Sequence, residues 1–337
     1  MTAANESAGL VEADIDSVAA AIRDADRFLL TTHENPDGDA LGSLLSMHHI
    51  LGVLGKDSVM FLAAKEFPLP VEYRFLPLEE VFHEPPADMP DRTVIFLDCG
   101  NIDRMPVDFL TRDREKVINI DHHHDNTRFG ALNLVDVDAS STAEIVYDLA
   151  GRLGVDLTPE IANALYVGLV TDTGKFMYEN TDERSHRMAA ALLEAGVRVN
   201  DIYRRLYEHA PLEKLKLLAL ALEKIELHDE GRIAITYISR ADYDATGATD
   251  SLTEGIIDHV RTIDGSVVAA MVRDLDEGAR TARKVSLRSP DGAVDVSEIA
   301  RAEGGGGHRR AAGFSTDLTY EEIIEFLCAQ VTASSSA

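Results

Sequence analysis

The chain has 337 residues, 45% of them hydrophobic and 27% charged, which points to about two packed domains and excludes wholesale disorder. Its formal net charge of -27 opposes long polyanions, whose affinity comes from Lys and Arg neutralising phosphates. The absence of Trp and an aromatic share of 6% argue in addition against a long stacking groove for single strands. At the N-terminus, MTAANESAGLVEADID is polar and acidic, without the basic start and apolar stretch of a secretory signal. No run approaches the roughly 18 uncharged apolar residues of a membrane span. Cys99 and Cys328 are too few for a disulfide framework and make no metal-ligand pair by spacing. The expected location is cytoplasmic.

In chain order, Arg27-Phe-Leu-Leu-Thr-Thr32 reads as a buried strand, followed by helical periodicity from Ala40 to Leu54. Thr93-Val-Ile-Phe-Leu-Asp98 and Lys116-Val-Ile-Asn-Ile-Asp121 are two further strands, each ending in an acidic residue. Thr142 to Leu153 and Pro159 to Val170 read as helices, the second with Pro at its start. This alternation predicts an α/β fold: an N-terminal, mostly parallel sheet with helices on both faces, whose ligand crevice lies beyond the C-terminal strand ends. Glu183 to Lys224 reads as helical with few turn signals. Strands at 233–238, 267–272 and 284–288 and helices at 253–261, 296–302 and 320–332 then form a smaller C-terminal α/β domain with a mixed sheet. The expected division is a catalytic domain over 1–190, a helical linker over 191–225 and a second domain over 226–337, ending in a small polar tail at 333–337.

The residues at the strand ends carry the chemistry. His33-Glu-Asn-Pro-Asp37-Gly-Asp39 lies between a strand and a helix, where Pro36 and Gly38 impose a turn. Asp98 follows the second strand, and Asp121-His122-His123-His124 follows the third. Asp172 lies near Gly174 at a helix end. Imidazole with carboxylate suits Mn²⁺, Fe²⁺, Co²⁺ or Zn²⁺, and carboxylate-rich sites lean toward Mn²⁺ or Mg²⁺. One carboxylate can bridge two cations about 3.5–4 Å apart, the spacing of two-metal phosphoryl-transfer sites. Each piece has a plainer reading as well: a single Asp at a strand end is more often a cap, Asp121 can simply hold a turn, His48 and His49 fall inside a helical pattern, and His124 can be solvated. Recurrence of candidate ligands at strand ends favours one gathered site.

These segments, with Asp98-Cys-Gly-Asn101 and Thr171-Asp172-Thr-Gly174, resemble in order and spacing the DHH phosphoesterases. Gly304-Gly-Gly-Gly-His308-Arg-Arg-Ala-Ala-Gly313 resembles the glycine-rich motif of the DHH-associated second domain. The resemblance runs from about Arg27 to Phe314, and in length and architecture is greatest to the NrnA-type nanoRNases, which also act as pAp phosphatases. It implies two divalent cations, foremost Mn²⁺. His33, Asp37 and Asp98 would hold one; Asp39, Asp98, His122 and Asp172 would hold the other. His123 would face the scissile phosphate, Asp121 would orient the histidines, and Asn101 and Arg104 would line the rim. In the second domain Gly305, Gly306 and Gly307 would let backbone N–H groups approach an anion, with His308 and Arg288 holding the substrate's terminal phosphate or base.

The function this implies is hydrolysis of di- to pentanucleotides, of linear pApA or pGpG, and of pAp, with a cleft between the domains limiting substrate length. Cyclic-dinucleotide hydrolysis, a RecJ-like single-strand exonuclease, an inorganic pyrophosphatase and a non-catalytic nucleotide sensor are the alternatives. The acidic surface opposes the exonuclease. The glycine-rich His308 motif stands where a pyrophosphatase would carry a basic Arg-Lys-Lys signature. The full ligand set opposes the sensor. The resemblance also suggests a homodimer, and the lack of an apolar span predicts no membrane partner.

Overall fold

A computed structural model describes residues 11–105, 108–111, 114–208, 210–276 and 278–334. Most of the acidic N-terminal stretch and the last three residues of the polar tail lie outside the described residues. By contacts the chain divides into two compact units, 1–209 and 210–337.

In the first unit the strands β1 (Val11–Glu12), β2 (Arg27–Thr31), β3 (Asp57–Met60), β4 (Thr93–Leu97), β5 (Val117–Asp121) and β6 (Leu132–Val135) form one sheet in the order β1-β6-β5-β4-β2-β3. Every pairing in it is parallel. Side chains alternate across the sheet with period two, as strand geometry demands. Phe28, Leu30, Ile95, Leu97, Ile118 and Ile120 face the main core. That core is closed by α1 (Ile15–Asp24), α2 (Gly38–Val53), α3 (Thr142–Leu153) and α4 (Pro159–Asp172). Leu29, Val94, Phe96 and Val117 face the other way, against Phe61, Met105, Leu110 and Phe129, where short 3-10 helices at 89–91, 102–104 and 108–111 lie. The strand order reverses between β2 and β4, and their C-terminal ends open the crevice where doubly wound sheets bind ligands.

The stretch 183–224 is not one continuous helix. It forms α5 (Glu183–Glu194), α6 (Val199–Tyr207) and α7 (Leu212–Glu223). Gly196 breaks it with φ 104, and Pro211 caps α7, having no N–H to continue a helix. The unit boundary falls inside the segment expected as a linker. Ile202 and Leu206 of α6 bury in the first core, whereas Leu217 and Ala221 of α7 bury with Ile238, Tyr243 and Ile257 of the second unit.

The second unit is built on a mixed sheet in the order β11-β12-β10-β9-β8-β7. Its strands are β7 (Glu226–His228), β8 (Ile233–Ile238), β9 (Val268–Asp274), β10 (Arg283–Arg288), β11 (Gly306–His308) and β12 (Ala311–Thr316). Only β8 and β9 run parallel within it. The helices α8 (Arg240–Thr246), α9 (Ile256–Val260), α10 (Val296–Ala302) and α11 (Tyr320–Ser334) pack on this sheet or on α7. The helix expected over 253–261 is shorter, because Gly255 at φ 84 separates a 3-10 turn at 250–253 from α9. The glycine run is no open loop: Gly306–His308 forms an edge strand. A Cβ at Gly307 would lie 2.5 Å from Ala311 O, so close approach to β12 already requires a glycine there.

Candidate metal centre

His33 follows β2, Asp98 follows β4, and Asp121 ends β5, so three adjacent strands deliver their last residues to one crevice. Asp37 is the N-cap of α2 and accepts from the N–H groups of Asp39 and Ala40, both at 3.0 Å. Asp39 sits in the first turn of α2, and Asp172 ends α4. All six expected ligands therefore meet within the first unit. Two triads each place one donor atom per residue within 4.8 Å of the others: His33, Asp37 and Asp98, and Asp39, His122 and Asp172.

Asp98 stands between the triads. Its Oδ2 lies 3.5 Å from His33 Nε2, and its Oδ1 lies 3.7 Å from His122 Nε2. Its backbone is left-handed at φ 57, a conformation Asp tolerates better than most residues, and its N–H donates to Ile120 O at 3.0 Å. His122 Nε2 also lies 3.6 Å from Asp172 Oδ2 and 4.0 Å from Asp39 Oδ2. The three separations from His122 are too long for hydrogen bonds and suit side chains arranged around a common centre.

The electrostatics point the same way. Burial raises Asp39 well above the ordinary carboxylate value, and the charges of Asp98, Asp172 and Asp37 push it further. Burial likewise brings Asp172 to about 7, with His122 opposing and Asp37 and Asp98 reinforcing the rise. Burial would raise Asp98 too, but the hydrogen bond from His33 and the charges of His123, His33 and His122 outweigh it and hold it below the usual range. Carboxylates crowded this way repel one another unless protons or cations neutralise them. The donor set of imidazole and carboxylate, with His33, Asp39 and Asp98 buried and Asp37 exposed, fits divalent metal.

Several residues that hold the centre gave no clear signal in the sequence. The N-terminus of α3 supports Asp39: Thr142 N donates to Oδ2 at 2.6 Å and Ala143 N to Oδ1 at 2.9 Å. Thr142 Oγ1 donates to Asp98 Oδ1 at 3.0 Å, and Asn180 Nδ2 to Asp172 Oδ2 at 3.3 Å. Behind the histidines runs a buried chain. Asn126 Nδ2 donates to Asp121 Oδ2 at 2.5 Å and to Asn119 Oδ1 at 2.7 Å, and Asp121 Oδ1 lies 2.7 Å from His123 Nδ1. Burial would lower the His123 pKa, but this contact and the charge of Asp98 dominate and raise it to about 9. His48, expected to be structural, meets Ser58 Oγ at 2.8 Å on the far part of α2, and His124 is exposed.

In the second unit Arg288 ends β10 and His308 ends β11, and both are in register with Ala311 of β12. Residues paired across strands share a face, so Arg288 and His308 stand on one side of the sheet about 10 Å apart. Arg288 Nη1 donates to Leu287 O at 3.1 Å, with its Nε 3.8 Å from Asp258 Oδ1. Arg309 and Arg310 donate to Gly292 O and Asp291 O at 3.0 and 3.3 Å, which ties the turn after β11 to the neighbouring loop.

The DHH family N-terminal domain matches residues 27–169, and the DHHA1 domain matches 230–333. A protein of Thermus thermophilus named bifunctional oligoribonuclease and PAP phosphatase NrnA is 36% identical over 312 residues, which are 90% of each chain. The chain belongs to the DHH phosphoesterase family. The Bacillus subtilis protein of the same name is 29% identical over 86% of this chain and 89% of its own. Among solved structures, an exopolyphosphatase-related protein from Bacteroides fragilis superposes with a TM-score of 0.85 at 24% identity, covering 95% of both chains, which shows the shared DHH fold. As a member of this family the chain is a hydrolytic phosphoesterase dependent on divalent metal. Among the described residues no helix is long and apolar enough to cross a membrane.

Proposed function

We propose that this phosphoesterase hydrolyses short oligonucleotides and linear dinucleotides such as pApA and pGpG, and removes the 3′-phosphate of pAp. The observation that carries the reading is the pair of His–carboxylate triads with Asp98, a member of the first, also 3.7 Å from His122 of the second. The names of the relatives from Thermus and Bacillus support the substrate class. His33, Asp37 and Asp98 would hold one cation, and Asp39, Asp98, His122 and Asp172 a second. Mn²⁺ is the foremost candidate, the carboxylate-rich donor set leaning toward it. When bound, the cation pair supplies charge neutralisation at the phosphoryl group and a more acidic water.

The protein's own groups do the rest. Asp98, held ionised, would serve both cations from its place in the first triad beside His122 of the second, while Thr142 and the first N–H groups of α3 fix its orientation and that of Asp39. His123, with Nδ1 engaged by Asp121, would present Nε2 to the substrate and donate a proton to the leaving oxygen. Arg288 and His308 grip a terminal phosphate or base of the substrate, with the backbone of Gly305 to Gly307 beside them. The acidic surface, at a net charge of -27, favours substrates too short to need many phosphate contacts. The cytoplasm, where such products of RNA decay arise, is the setting this reading requires.

A substrate panel with Mn²⁺ tests the reading: pAp, pApA, a pentaribonucleotide, a long single strand, cyclic di-AMP and pyrophosphate. Highest kcat/KM on the first three is expected. Preference for the long strand, for cyclic di-AMP or for pyrophosphate would replace it with one of the other family activities.

A further inference from the structure

The first unit holds a cavity of about 560 Å³ enclosed by α2, α4, α6 and the segment 75–77. That volume is in the range of small-molecule sites, roughly 300–1,000 Å³. Its walls are mainly apolar, with Leu45, Leu76, Val167 and Ile202 among them. At its mouth the Arg205 guanidinium lies 5.4 Å from the centroid of the Phe75 ring. Among the described residues no carboxylate lies within ion-pair reach of Arg205. The lining also carries Arg198, Asp201 and Glu160. Arg198 Nε pairs with Asp201 Oδ2 at 2.9 Å, and Glu160, in the first turn of α4, is stabilised by hydrogen bonds with its own backbone and with Thr158. Glu160 stays ionised, and Arg205 is a cation stacked on an aromatic face beside the apolar walls. An anion carrying an apolar body complements it: the acid takes the edge of the guanidinium, and the body takes the walls.

The same two helices build the metal centre. α2 begins at the Asp37–Asp39 turn and reaches the cavity with Leu45 and His49, while α4 lines the cavity with Asn163 and Val167 and ends at Asp172. They cross between these places at Gly42, where a Cβ would lie 2.5 Å from Ala164 O and 2.8 Å from Gly168 N. With backbone against backbone there, neither helix can shift without its neighbour giving way. Leu45 and Asp39 lie on one of these helices, and Val167 and Asp172 on the other.

We propose that this cavity is an effector site for a small organic anion with an aromatic or apolar body, and that its occupancy changes turnover by shifting the α2–α4 pair. The natural ligand is defined here by chemistry alone, so the probe is 8-anilinonaphthalene-1-sulfonate added to the full chain loaded with Mn²⁺. Saturable fluorescence at one site is expected, together with a change in bis(p-nitrophenyl) phosphate hydrolysis that has the same half-point. Arg205→Glu and Asn163→Trp, both at exposed positions, should each weaken binding by about ten- to a hundred-fold and remove the effect on turnover. N-Phenyl-1-naphthylamine, which lacks the sulfonate, should bind at least about tenfold more weakly. Thermal melts matching the native chain show that both variants are folded. Unchanged probe affinity in both variants, equal affinity for the uncharged amine, or saturation with unaltered turnover overturns the proposal. None of these readouts depends on the natural substrate, so the proposal and the nucleotide reading fail separately.

Discussion

Asp98 leaves β4 with φ 57 and sets one carboxylate oxygen 3.5 Å from His33 and the other 3.7 Å from His122. A shared carboxylate is the one ligand whose loss affects both cations. Asp98→Ala should lower Mn²⁺ content and reduce hydrolysis of every substrate by more than about 10³-fold, beyond the loss from removing one stabilising donor. Near-normal turnover with two bound metals would contradict the role. His123→Ala should retain most of the metal while losing activity, and parallel loss of both would make His123 a ligand. Asn126 acts one step further back, through Asp121. Asn126→Ala should lower kcat by about 10–100-fold, as for other partners that orient a functional histidine, with KM and metal content nearly unchanged. The strand-end acids were legible because they interrupt apolar runs at the place where parallel sheets bind ligands. Asn119 and Asn126 were not, since a buried amide chain depends on spatial neighbours that no periodicity reports. Thr142 looked like a simple helix start, and its bond to Asp98 spans 44 positions of sequence.

At the scale of elements, helices carrying ligands are placed by close packing. Gly42 abuts the backbone of α4, so even Gly42→Ala must force α2 and α4 apart. A cost of about 1–3 kcal/mol is expected from overpacking, seen as a lower melting temperature, with weaker Mn²⁺ binding because Asp39 and Asp172 separate. In the second unit, Asp242 accepts from Ser239 N at 2.7 Å and lies 2.5 Å from Lys224 Nζ, closing the capping box of α8. Burial would raise its pKa, but the bonds from Lys224 and Ser239 outweigh burial and lower it. A lowered carboxylate pKa stabilises the fold above the ordinary value and loses that contribution as pH falls through the folded one. Asp242→Ala should therefore cost about 1–2 kcal/mol by urea denaturation at pH 7, and clearly less near pH 3. Helix breaks at Gly196, Pro211 and Gly255 were under-read because single Gly or Pro residues are tolerated in helical patterns. The short strands β3, β6 and β11 carry too few residues to show alternation.

At the scale of the whole molecule, one unit carries the candidate metal centre and the other carries the row formed by Arg288 and His308. If both contact a nucleotide, Arg288→Ala and His308→Ala should lower kcat/KM for pApA by about ten- to a hundred-fold, the worth of a charged hydrogen bond. Bis(p-nitrophenyl) phosphate, too small to use such contacts, should be cleaved nearly as before. Equal losses on both substrates would assign the two residues to the fold. The central claim is that two cations share Asp98. The direct measurement is anomalous diffraction at the manganese edge from crystals of the full chain soaked in Mn²⁺. Two peaks are predicted, one among His33, Asp37 and Asp98 and one among Asp39, Asp98, His122 and Asp172. A single peak, or a peak bound by His123 with Asp98 uncoordinated, would contradict it.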